Sequence, residues 1–175
     1  MSFNDKDGPL FADLDDTDPD LVAAVSDAQR TLPLFLDAVS TARFPRAGCL
    51  AKVAFFDRSE LGMQALVRTP ETALEHSASP VCHLWLNVTS VLEQLVFCSV
   101  YEAPVELLLK EKDSFVVSSD SIEDWCVNEN GVVFGGYSLR VVRSRLRRKA
   151  QAKFDVHTGI RTFAELTSMG DSADS

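Results

Sequence analysis

Apolar residues in this chain follow three successive patterns: a helical period near the start, short strand-like runs through the middle, and a helical period again toward the end. The first begins at Asp18-Pro19, an aspartate at the N-cap followed by proline at the first helical position. Leu21, Val25, Ala28 and Leu32 then recur on one helical face. Pro33 has no amide hydrogen and is expected to break or kink this helix, with Thr31 capping a second short one that carries Leu34, Phe35, Ala38 and Val39. Phe44-Pro45-Arg46-Ala47-Gly48 closes the region.

Strand formers dominate from Cys49 onward. Cys49 to Phe56 reads as a strand, and Met63 to Arg68 is expected to pair with it. Thr69 to Pro80, with its two prolines, reads as a loop. Val81 to Val91 and Gln94 to Tyr101 are two strands meeting near Leu92-Glu93, and Asp113 to Ser118 is another; Val105 to Leu109 fits helix or strand equally well. Ile122 to Val127 and Val132 to Gly135 flank an Asn130-Gly131 step, the strongest short hairpin signal. After Gly136, Leu139, Val142, Leu146 and Ala150 return to helical spacing and predict one helix from about Tyr137 to Phe154, its first turn also compatible with a strand. Consecutive strands with hairpin-length links pair antiparallel. The predicted class is therefore α+β, a curved antiparallel sheet with N-terminal and C-terminal helices packed on one face. The expected organisation is an acidic disordered arm at 1–17, a single domain at 18–163 and a polar tail at 164–175.

Charge sharpens this picture. The first 20 residues hold seven aspartates against one lysine, too little apolar area to offset ordering unless Phe11 and its neighbours dock. The whole chain carries a net charge of -9, which argues against general affinity for nucleic acid or anionic membrane. There is no apolar run of the ~18 residues a transmembrane helix needs, and the N-terminus lacks a secretory pattern, so a cytoplasmic protein is expected. Cys49, Cys82, Cys98 and Cys126 lie far apart among apolar neighbours and read as reduced, buried side chains.

Candidate chemistry is sparse. In Cys82-His83-Leu84-Trp85, strand alternation puts Cys82 and Leu84 toward the core and His83 with Trp85 on the other face, so Cys82 and His83 cannot pair with each other. His76, His83 and His157 show no metal-ligand spacing; no metal and no cofactor are expected. Phosphate-binding glycine loops and the Gly-x-Ser-x-Gly nucleophile turn are absent. Gly135-Gly136 reads as a tight turn. Arg140, Arg143, Arg147 and Arg148 should form a basic stripe opposite Leu139, Val142, Leu146 and Ala150, with Arg145, Lys149 and Lys153 nearby. Without interleaved aromatics this stripe predicts no nucleic-acid binding; a solvated face, an acidic partner or the chain's own acidic arm accounts for it.

Several of these stretches carry a family likeness. His83-Leu84-Trp85-Leu86, Ile122-Glu123-Asp124-Trp125, Gly135 to Val142, and the Asp20-to-Leu36 helix with Leu32-Pro33-x-Phe35 occur in the order found in the YegJ-like family of bacterial domains, which the chain resembles over about residues 18–155. That family favours Glu where Cys82 stands, and a Gly-Asp turn where Lys112 precedes Asp113. The resemblance implies a shared fold and no activity, and the departure at Cys82 argues against a retained Glu-His catalytic pair.

The functional expectation is a non-enzymatic protein-binding or accessory module, immunity-type by analogy, that meets an unknown protein partner. Its binding residues would be His83, surface-facing Trp85, Trp125 and Tyr137, with Asp124, Arg140 and Arg143. The alternative is a small hydrolase-like enzyme with His83 as base and Asp124 as its orienter. Convergence of those two in a concave pocket separates the readings.

Overall fold

A computed structural model of the chain describes residues 17–44, 48–56, 64–65, 81–101 and 114–165. The acidic arm up to residue 16, the Thr69-to-Pro80 loop, the Val105-to-Leu109 run and the tail from residue 166 all lie outside the described residues.

Helix α1 (Pro19–Ser40) is one continuous element of 22 residues with Pro33 inside it. Asp18 caps it as expected, its side chain accepting from the Asp20 amide at 3.0 Å. The predicted break does not occur. Pro33 lies on the exposed side, while Thr31, Phe35 and Ala38 are buried on either side of it. Enclosure of Phe35 and Ala38 holds the helix together against the roughly 3 kcal/mol that an interior proline costs. Thr31 is accordingly no cap: its hydroxyl donates back to the Asp27 carbonyl at 2.8 Å and lies 2.9 Å from the Tyr137 hydroxyl.

The α+β class is what the chain adopts. The strands are β1 (Gly48–Phe56), β2 (Gln64–Ala65), β3 (Val81–Leu92), β4 (Leu95–Val100), β5 (Ser114–Ser118), β6 (Ile122–Glu129), β7 (Val132–Gly135) and β8 (Thr162–Phe163). They form one open sheet in the order β5-β4-β3-β1-β6-β7-β8, with β2 paired to β1 off this path. Neighbours run antiparallel except the short β7–β8 pair, which is parallel and departs from the all-antiparallel expectation. The Asn130-Gly131 hairpin forms as predicted: both residues have positive φ, 52° and 88°, as a two-residue turn between twisted strands requires. Asn128 Oδ1 accepts from the Gly131 amide at 2.8 Å and fixes the turn.

The predicted C-terminal helix is two helices, α2 (Tyr137–Arg145) and α3 (Arg148–Thr158). Leu146 adopts an extended conformation between them and is buried. The break folds α3 back so that Phe154 joins Val142 and Leu146 in one cluster. Arg143 then grips Asp155 with two hydrogen bonds, at 2.6 and 2.8 Å.

The helices pack against the sheet as expected, but on both of its faces and not on one. Ala28, Phe35 and Ala38 of α1 meet Val53, Phe55, Leu84, Leu86, Trp125 and Val127 in the main core. Residues of the alternate parity, Leu50, Trp85, Cys126 and Val133, pack with Val142, Leu146 and Phe154 of α2 and α3.

Candidate functional site

The candidate site is built around an irregularity in the central strand pair. Along β1–β6 the register runs Lys52↔Asp124 and then Val53↔Ile122, so Glu123 is an extra residue on β6. A bulge of this kind interrupts strict alternation and re-aims the side chains beside it. Here it makes room for two adjacent buried carboxylates, Glu123 and Asp124, in a strand whose first six residues are all buried.

Asp124 is wholly buried and serves the fold. Its Oδ1 accepts from the Trp125 amide at 2.7 Å and the Tyr137 amide at 3.2 Å. Its Oδ2 accepts from the Ser138 amide at 2.7 Å and the Ser138 hydroxyl at 2.6 Å. The residue preceding α2, Gly136, has no side chain to cap it, so a carboxylate from β6 caps the helix from across the structure. Burial pushes the Asp124 carboxyl up from its ordinary value, against the pull of the Ser138 and Trp125 hydrogen bonds and the Lys52 charge.

His83 does not pair with Asp124, which corrects the base-and-orienter arrangement of the alternative, hydrolase-like reading. Its Nδ1 donates instead to Glu123 Oε2 at 2.6 Å, with side-chain exposures of 21% for His83 and 7% for Glu123. The pairing comes from the fold: β3 and β6 flank β1 on either side, and the bulge turns Glu123 toward β3. Trp85, two residues along β3, shares the His83 face and is partly buried against the second cluster. Lys52 lies opposite both Trp85 and Asp124 in the register. A carboxylate on Nδ1 fixes the tautomer and orientation of an imidazole, which suits it to hydrogen-bond recognition or to proton transfer.

The other residues predicted to bind are engaged by the fold. Trp125 was expected at the surface and is fully buried: it stacks on Phe35 at 5.2 Å, and its indole N–H donates to the Ala28 carbonyl at 3.0 Å. Its ring needs Gly135 beneath it, where a Cβ would come within 2.7 Å of the indole at φ +69°. Tyr137 packs edge-on to Trp125 and is partly buried, its hydroxyl against Thr31. Arg140 donates to the carbonyls of Gly135 and Ala164 and lies 4.5 Å over the Phe163 ring. Arg143 is held by Asp155, and Arg145 bridges Asp18 and Asp20 at 2.6 and 2.7 Å. Of the expected basic stripe, Arg140 and Arg143 are therefore taken up in internal bonds, and the acids before and within α1 take up the neighbouring Arg145.

Sequence reasoning missed Glu123, Lys52 and Ser138. Glu123 stands next to Asp124 in the chain, but strict alternation gives no warning of a bulge. Among the cysteines, Cys98 and Cys126 are buried and Cys49 is partly so. Burial pushes the Cys98 thiol up to about 12 and Cys126 well above the ordinary value, leaving both poor nucleophiles. The side chain of Cys82 lies outside the described residues. Among the described residues no helix is long and apolar enough to cross a membrane.

The family model of an uncharacterized protein conserved in bacteria (DUF2314) matches residues 18–162. No curated protein and no solved structure matches the chain. The match runs from the cap of α1 to the start of β8 and includes every residue of the site, so the chain belongs to this bacterial family of uncharacterized proteins.

Proposed function

We propose that the chain is a non-enzymatic, cytoplasmic protein-binding or accessory module whose recognition site is the sheet face carrying His83, Trp85 and Lys52. One observation carries the reading: a buried carboxylate holds the His83 imidazole in fixed orientation on the same strand face as a partly buried indole. That combination offers a partner a directional hydrogen-bonding group beside a rigid apolar plate, the mixture that interface centres favour. An accessory role of immunity type fits a small acidic domain by analogy, and the narrower YegJ-like likeness adds no activity to it.

A partner captured by cross-linking in the native cell and then purified tests this. Trp85→Ala and His83→Gln should each weaken its binding by about tenfold or more, while the exposed control Asp120→Asn binds as wild type. Equal affinity of all four proteins would refute the site.

The same 2.6 Å contact supports a second reading, a hydrolase-like enzyme in which Glu123, not Asp124, orients His83 as a general base. Turnover of simple esters or phosphoesters that His83→Gln abolishes would favour that reading over the first.

A further inference from the structure

Arginines 140, 143 and 145 are each held by named acceptors. The next three cations are different. Arg147, Arg148 and Lys149 are exposed, and among the described residues none of them makes a side-chain hydrogen bond or ion pair. Standing at the start of α3, they oppose the helix dipole, so the helix itself gives no reason for their placement.

The first of the described residues lie beside them. Arg145 donates to both Asp18 and Asp20, which fastens the beginning of α1 to the end of α2. Arg147 follows two residues later, its Cα within about 8 Å of that of Arg145. The chain that precedes Thr17 holds five aspartates and one lysine, and Asp13, Asp15 and Asp16 stand within five residues of the Asp18 anchor. Five extended residues reach roughly 17 Å, about three times the pitch of one helical turn. Charge, reach and point of attachment thus agree.

We propose that the Arg147-Arg148-Lys149 cluster is the docking surface for the chain's own N-terminal acidic segment, residues 1–16, which shields the cluster from other polyanions. The contact is electrostatic, and the cations on its side are exposed. It weakens steeply as salt rises, since the screening length falls from about 10 Å at 0.1 M to about 3 Å at 1 M.

The test uses the full chain. An arm variant, Asp13→Asn/Asp15→Asn/Asp16→Asn, is set against a control of equal net charge, Asp37→Asn/Glu93→Gln/Asp120→Asn, altered at exposed positions elsewhere. Two readouts are taken at low salt: backbone amide shifts of residues 147–150 by NMR, and affinity for a heparin oligosaccharide. The arm variant should move these amides and bind heparin about tenfold tighter than the control, a usual size for coupled sites. Adding Arg147→Gln/Arg148→Gln/Lys149→Gln should remove that gain. Unmoved amides would overturn the proposal. So would equal heparin affinity in the two variants, which would leave the cluster open to a foreign polyanion.

Discussion

Replacing Asp124 is the most direct test of how the two halves of the structure are joined. The side chain receives three backbone amides and one hydroxyl in a site closed to water. In Asp124→Ala the amides of Trp125, Tyr137 and Ser138 lose their acceptor, and an unpaired buried donor costs about 1–3 kcal/mol. With partial relaxation the loss should be about 3–5 kcal/mol, at the upper end for a single substitution. Asp124→Asn keeps an acceptor for Trp125 and Tyr137 but presents an NH2 group to the Ser138 amide, so about 1–3 kcal/mol is expected. Ser138→Ala removes one hydrogen bond to the carboxylate and should cost less than either. Urea denaturation with a common m-value gives the three differences. Hydrogen exchange should show the Tyr137 and Ser138 amides losing protection before the rest of the sheet. A cost below about 1 kcal/mol for Asp124→Ala, or unchanged protection of α2, would refute the capping role. The ring 15N pattern that reports which nitrogen of His83 carries the proton should stay unchanged in Asp124→Asn and change in Glu123→Gln; the opposite outcome would restore Asp124 as the histidine's orienter.

Trp125→Ala should cost about 3–5 kcal/mol by chemical denaturation, because the ring is enclosed; a loss under about 1 kcal/mol would place it at the surface. Gly135→Ala should be much more damaging than Gly136→Ala: both have positive φ, but a Cβ at Gly135 falls 2.5 Å from the Trp125 carbonyl oxygen, whereas one at Gly136 meets side chains at 3.3 Å or beyond. Equal melting temperatures for the two variants would contradict this. Arg145 holds the Asp18 carboxyl down to about 2 from 3.8. A depressed folded-state pKa contributes stability above the unfolded value that is lost as pH falls. Wild type should therefore lose part of its advantage over Arg145→Gln between about pH 4 and pH 2, and an NMR titration of Asp18 should return toward 3.8 in the variant. A difference between the two proteins that does not change with pH would argue against the clamp.

Local chemistry made much of the fold legible. The Asp18-Pro19 start, the Asn130-Gly131 turn and the positions of β1, β3, β4 and β5 come from caps, turn residues and strand formers that act within a few residues. The misreadings share a cause, which is that a distant partner overrode a local rule. Pro33 was expected to break or kink α1, but the helix runs on because Phe35 and Ala38 are held by the sheet beyond it. Leu139 to Ala150 carried an unbroken helical period, yet burial of Leu146 and the Arg143–Asp155 grip favour a break. Trp125 resembled a recognition aromatic because nothing nearby in sequence shows that Phe35 covers it. At the site, His83 and Trp85 were placed on the correct shared face by alternation alone. The histidine's partner was assigned to Asp124 instead of Glu123 because the bulge depends on how β6 meets β1.

The bonds that seal α1 in place also set a timetable for synthesis. Trp125, Tyr137 and Arg145 reach α1 across sequence separations of 97, 106 and 127 residues. At the ~5–20 residues per second of translation, the helix made first waits on the order of 5–25 s before its partners exist. During that interval the face bearing Leu21, Ala24, Ala28 and Phe35 has no native cover, and closing such long loops comes late and slowly. The nascent helix is therefore a ready substrate for chaperones that hold emerging chains, and truncated products ending before about residue 125 should be recovered as aggregates or chaperone-bound species.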